Sequence, residues 1–217
     1  MRRLAVGLAT LGALALGARP APGQQVTVGP QFVLASYREV SSGLAYQGAG
    51  FGGTVSGQWR RYRAEAVVTR VTLNPSGGSP GLQSFTVTQV DAWVAYDIAA
   101  YASVEAGLTH RSPSPAFGAQ AVGAVRLGAR AFSELGPGAT MSFRADYLAA
   151  PQFSGGGHAS LSLDLGLGLD VRLAGRLHGS AAYAFQHIDR KVSPGGTPEI
   201  DAPIQQSTAR VGVALGF

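Results

Sequence analysis

The sequence has no cysteine, a single lysine and few charges, with only 13% of its 217 residues Asp, Glu, Lys or Arg, about half the usual share. Without Cys there is no disulfide framework, no thiolate for a metal and no thiol to carry a lipoprotein's lipid. Low charge beside a 46% share of hydrophobic residues is the wrong balance for a disordered chain. Long apolar runs are also missing. Beyond the first 23 residues nothing approaches the roughly 20 apolar residues that a membrane-spanning helix needs. Glycine, by contrast, is abundant at 31 residues, and because it is a poor helix former, it argues against a helical bundle.

The first 23 residues read as an export signal. Met1-Arg2-Arg3 is a positive start, Leu4 to Gly17 is apolar and uncharged, and Ala21-Pro22-Gly23 places small residues before a cleavage point. Cleavage after Gly23 leaves 194 residues, 24–217, with fourteen basic against twelve acidic side chains, so the formal charge falls from +5 to +2. No basic stripe remains, and nucleic acid is not an expected partner.

The rest of the chain repeats one pattern. Over 159–171, Ala159, Leu161, Leu163, Leu165, Leu167, Leu169 and Val171 alternate with Ser160, Ser162, Asp164, Gly166, Gly168 and Asp170. Alternate side chains of a strand point to opposite faces, so one face is apolar and the other polar or tiny. Ten such segments are predicted: 25–37, 49–59, 62–73, 84–97, 100–110, 118–132, 139–150, 158–173, 177–189 and 205–217. Short connections near 60–61, 98–99, 133–138 and 174–176 alternate with longer ones at 38–48, 74–83, 111–117, 151–157 and 190–204.

Many antiparallel alternating strands suit a soluble sandwich or a closed barrel. The small residues of the polar faces, the alternating loop lengths and the long segments favour a transmembrane barrel, with apolar side chains outward and a polar lumen. Closure is then compulsory, because no edge can be left unpaired in lipid. The expected fold is all-β, an antiparallel up-and-down transmembrane barrel of ten strands, with eight or twelve still open because the region 38–60 is rich in Gly. Trp59, Tyr62, Tyr96 and Tyr101 flank short turns and suit a membrane interface, with Phe51, Tyr147, Tyr183 and Phe185 as the opposite belt.

The last strand reads Ala209-Arg210-Val211-Gly212-Val213-Ala214-Leu215-Gly216-Phe217, with Val211, Val213, Leu215 and Phe217 on one face. This resembles the C-terminal signature of bacterial outer-membrane β-barrel proteins. Many members have Tyr where Leu215 stands. The resemblance implies a place in the outer membrane of a Gram-negative-type bacterium, reached through the periplasm. It also implies two partners, the barrel-assembly machinery, which reads such a strand, and the lipid itself. A monomer is expected.

With the apolar face outward, the inward acids are Glu65, Asp91, Glu105, Asp146, Asp164 and Asp170, and the inward bases are Arg63, Arg126, Arg130, Arg144, Arg172 and Arg210. Six acids against six guanidinium forks favour a filled lumen, and a barrel of about eight strands is narrow enough for side chains to fill. The expected role is structural or interaction-related, without catalysis and without a cofactor. The alternative is a narrow pore in which the same charges select an ion or small solute.

Two pairs bear on catalysis. His158-x-Ser160 is similar to the His/Ser pair of lipid A deacylases, but the pair falls on the expected lumen face and lacks the family's Glu. His187-x-Asp189 distantly resembles the Asp–His pair of omptin proteases, but in reverse order and without an Asp-x-Asp. His110 and His178 lack metal-ligand spacing, and Gly155–Gly157 precedes a strand, not the helix a phosphate loop requires. Loops 38–48 and 190–204 are the candidate contact sites. N-terminal sequencing of the exported protein should begin at Gln24, and a chain retaining Met1 would overturn the signal reading.

Overall fold

Long alternating segments make long strands, and these strands pair in sequence order. The computed structural model describes residues 24–76, 82–193 and 198–217; the signal segment expected over 1–23 lies outside the described residues, as do 77–81 and 194–197. The strands are β1 (Gln24–Glu39), β2 (Leu44–Trp59), β3 (Tyr62–Pro75), β4 (Phe85–Ala99), β5 (Ala102–Ser114), β6 (Val122–Gly136), β7 (Ala139–Phe153), β8 (His158–Ala174), β9 (Leu177–Val192), β10 (Ile200–Asp201) and β11 (Ile204–Gly216). Ten of them run 13 to 17 residues, and β10 is a two-residue ladder against β9. Neighbours pair antiparallel from β1 to β9, β9 pairs β11, and β11 pairs β1. The result is a closed, up-and-down, ten-stranded barrel.

Two-residue turns at 60–61, 100–101, 137–138 and 175–176 gather at one end. Arg60 (φ 54°) and Gly175 (φ 53°) supply left-handed residues there, as tight hairpins require. The last residue joins this end, its N–H donating to the Val26 carbonyl at 2.9 Å. The other end carries the longer connections.

Boundaries moved where alternation is hard to see. β2 starts at Leu44, so the connection expected over 38–48 is only the turn 40–43. Its inward positions include Gly48, Gly50 and Gly52, which leave no polar–apolar contrast to read. β5 continues to Ser114, and β7 continues to Phe153 past Ala150 (φ 47°). Residues 118–120 form a 3₁₀ turn where the start of β6 was expected, and the turn expected at 98–99 lies at 100–101.

The polar-inside rule holds over only half the barrel. Toward the tight-turn end the outward side chains are apolar and exposed, among them Val94, Leu127, Phe143, Leu167 and Val211. Toward the loop end the wall inverts. Val33, Val71, Leu73, Phe85, Leu148, Ile188 and Ile204 are buried inside, while Arg70, Thr72, His110 and Ser112 stand outside. Phe51, Tyr147 and Tyr183 are exposed near the changeover, and Trp59, Tyr62, Tyr96 and Tyr101 are exposed at the tight-turn end. Trp59 lies eight residue steps along the strand from Phe51, or roughly 20 Å of height at about 3.3 Å per residue and a tilt of about 40°.

Glycine makes the narrow interior possible. Paired across strands, Gly107 faces Trp93, Gly128 faces Asp146, Gly166 faces Arg144 and Gly212 faces Gln31. A β-carbon at Gly107 would sit 2.6 Å from the Trp93 Cβ. On β2, a β-carbon at Gly50 would collide with the Arg70 carbonyl oxygen. Overpacking of this kind costs about 1–3 kcal/mol. Gly50→Val should therefore lower the folded fraction, read as loss of the fast-migrating form in unheated gels and a lower urea midpoint. Gly53→Val, whose β-carbon meets only a 3.7 Å contact, should fold normally.

Candidate functional site

The lumen falls into three layers, set by which residues the inward register places at each height. The middle layer is an ion network. Arg126 on β6 donates through Nη1 to Asp91 Oδ1 at 3.2 Å and through Nη2 to Asp146 Oδ2 at 2.5 Å, with Asp164 Oδ2 at 3.7 Å. Arg144 donates through Nη2 to Asp164 Oδ1 at 2.8 Å, and its Nε lies 3.0 Å from Asp146 Oδ2. Arg130 donates through Nε to Glu105 Oε2 at 3.0 Å and reaches Glu65 Oε2 at 3.8 Å. All three guanidinium carbons lie 5.3 Å from the ring centre of Trp93, a cation–π arrangement in a desolvated site. Alternate inward positions on six neighbouring strands, β3 to β8, supply this network.

Eight of the twelve expected charges meet here: Glu65, Asp91, Glu105, Arg126, Arg130, Arg144, Asp146 and Asp164. The other four do not join them. Arg63 pairs with Asp97 at 3.2 Å and lies over the Phe132 ring. Asp170 meets His178 Nδ1 at 3.1 Å near the tight-turn end. Arg172 is exposed at that end. Arg210 lines a cavity there, and its buried Nε has no partner among the described residues.

Above the network is a layer that sequence reasoning missed. Tyr37, Tyr46, Phe85 and Phe117 pack ring to ring, with centroids 4.9–6.4 Å apart. Phe117 enters from the loop 115–121, which Gln120 pins by donating to Glu39 Oε1 at 2.7 Å. Arg111, also buried, donates to Gln206 Oε1 at 3.0 Å; Gln206 donates to Gln89 at 2.9 Å, and Gln89 donates to Asp91 at 2.9 Å. This polar chain joins the upper layer to the network. Its signal was the parity of β1: Tyr37 and Glu39 continue the inward series of Gln31, Val33 and Ala35, but both sat in or beside a stretch taken for loop.

Below the network the lumen opens into a cavity of about 580 Å³, lined by Gly, Ser, Thr and Gln, by several Arg, and by apolar groups that include Trp93 and Phe132.

The expected lumen position of His158 and Ser160 is corrected. A bulge between Ala159 and Ser162 shifts the phase of β8, so Ala159 packs against the inner core while His158 and Ser160 are exposed. His187 Nε2 and Asp189 Oδ1 lie 2.8 Å apart, on the outward parity of β9. Among the described residues no three His, Asp or Glu side chains gather as a metal site requires.

No protein-family model matches the sequence, and no curated protein matches it. Solved structures do. The outer-membrane protease OmpT from Escherichia coli is 8% identical, with 93% of this chain and 99% of that chain covered at a TM-score of 0.50. The translocator domain of the autotransporter NalP from Neisseria meningitidis is 15% identical, covering 98% of this chain and 95% of that one at 0.47. Neisserial surface protein A is 14% identical, covering 92% of this chain and 100% of that one at 0.45. The fold is that of the bacterial outer-membrane β-barrels. At these identities the likeness concerns the barrel and not what it does.

Within this barrel, Arg126 is the residue on which the network turns. Removing one partner of a buried ion pair costs about 3–5 kcal/mol, because its counter-charges stay behind uncompensated. Arg126→Met leaves Asp91 and Asp146 facing each other without their shared cation. Urea titration of the folded barrel should show a large drop in stability, and an unchanged midpoint would refute the network's structural weight.

Proposed function

We propose that this protein is a sealed barrel of the bacterial outer membrane, with a structural or interaction role and no transport path or catalysis. The tight-turn half lies in the bilayer with its turns in the periplasm. The inverted half stands above it in water, with an apolar core and a polar exterior like a soluble β-barrel. Val211, Val213, Leu215 and Phe217, exposed along the closing strand, are the surface that the assembly machinery would read.

One observation carries the reading: the lumen is closed twice. The aromatic cluster around Phe117 fills it at the loop end, and the Arg126 network fills it at mid-height with Asp146 and Asp164 almost wholly buried. An ion crossing the barrel would have to shed its water at the apolar layer, a large desolvation cost. A partner would meet the protruding half, where 40–43 and the end of β9 with Ile200–Asp201 form the rim. The mature protein in planar lipid bilayers should give no stable conductance steps. Reproducible steps of uniform size would overturn the sealed reading in favour of a narrow pore.

A further inference from the structure

The cavity below the network is not accounted for by a sealed, structural barrel. Its volume of about 580 Å³ falls within the range of small-molecule sites. Its walls offer the hydroxyls of Thr54, Ser56, Thr140 and Ser142, all able to donate to an anion. Five Arg line it against only Glu65 and Asp170 among the acids. Three of those Arg are already engaged: Arg63 by Asp97, Arg130 by Glu105 and Arg144 by Asp164.

Arg210 is different. It makes no ion pair among the described residues, and Glu65 and Asp164 are already shared, Glu65 lying 3.8 Å from Arg130 and Asp164 lying 2.8 Å from Arg144. Its buried Nε finds no acceptor among the described residues. A buried N–H is costly unless something accepts from it. A planar fork of donors is matched by a carboxylate or a phosphate, which can accept two hydrogen bonds side by side. Arg172, exposed and lining the same cavity near the tight-turn end, adds positive charge at the mouth.

We infer that the tight-turn half of the lumen is a binding cup for a small anionic solute, one bearing a carboxylate or phosphate group, anchored by the Arg210 guanidinium. The cup is a dead end, closed above by the ion network, so its ligand enters and leaves by one mouth. In the orientation proposed above, that mouth faces the periplasm. The site does not depend on the sealed reading, because a conducting barrel with the same Arg210 would bind the same anion.

The protein carries its own reporter. Of its two tryptophans, Trp93 lines the cavity and Trp59 stands outside. In a Trp59→Phe background folded in detergent, the fluorescence of Trp93 is followed while inorganic phosphate, succinate and neutral glucose are added separately. A saturable change with phosphate or succinate, and none with glucose, is expected, and whichever anion binds more tightly assigns the headgroup. Arg210→Met should weaken that binding at least tenfold, and Arg172→Gln should weaken it a few-fold. The Arg172 change alters only an exposed residue, so it decides the matter if Arg210→Met fails to fold. No saturable response to either anion, an equal response to glucose, or affinities unchanged in the variants would overturn the proposal.

Discussion

A sheet with free edges exposes rows of unpaired N–H and C=O groups, and in a bilayer nothing outside the protein can satisfy them. Pairing β11 with β1 removes both edges at once, and most other features follow from that closure. Ten strands fix a small circumference, the circumference fixes a small interior, and an interior so small admits large side chains only where their neighbours across the ladder are glycine. That is why Trp93, Asp146 and Arg144 each face a glycine on the next strand. The abundance of glycine is thus a packing requirement of a narrow barrel that carries large side chains across its middle.

The ion network is better understood as a device of register than as a source of stability. Burying paired charges roughly breaks even against an apolar core, while separating them is expensive. A one-residue slip would turn every inward charge to the outside. Arg126 on β6 is held simultaneously by Asp91 on β4 and by Asp146 and Asp164 on β7 and β8. Slipping any of these strands would separate acids that share only two guanidinium groups, Arg126 and Arg144, at that height. The apolar layer above lacks such specificity, since Val, Leu and Ile tolerate exchange. The polar chain from Arg111 through Gln206 and Gln89 to Asp91 ties the two layers together.

The strands themselves were legible because alternation survives in any segment where one face is uniformly apolar, as in β8 with Leu163, Leu165, Leu167 and Leu169. Alternation fails where the inward face is glycine, which hid the start of β2, and where a bulge changes parity, which misplaced His158 and Ser160. The network's membership was largely legible, since parity alone places a residue inside. Its pairings were not, because they depend on the stagger between strands, which no single strand encodes. The aromatic plug was hidden for a further reason. Reading polar residues as inward presumes one kind of outer surface over the whole wall, whereas this wall is apolar outside toward the tight-turn end and polar outside toward the loop end.

That change in the outer surface runs with the vertical order of the lumen. Where the outside is apolar, the inside must carry the polar groups, and the network and the cavity occupy those heights. Where the outside turns polar, at Arg70, His110 and Ser112, the inside can become an ordinary apolar core, and Phe85, Leu148 and Ile204 form it. The aromatic layer therefore lies above the changeover and the remaining free volume below it, where Trp93 and Phe132 line the cavity but many of the other inward residues are Gly, Ala, Ser or Thr, too small to fill the space. Arg210 sits at the upper boundary of that volume, with a network above whose acids are already shared and an open cup below. Its buried Nε has no partner among the described residues, and the side chain lines the volume that the packing leaves empty.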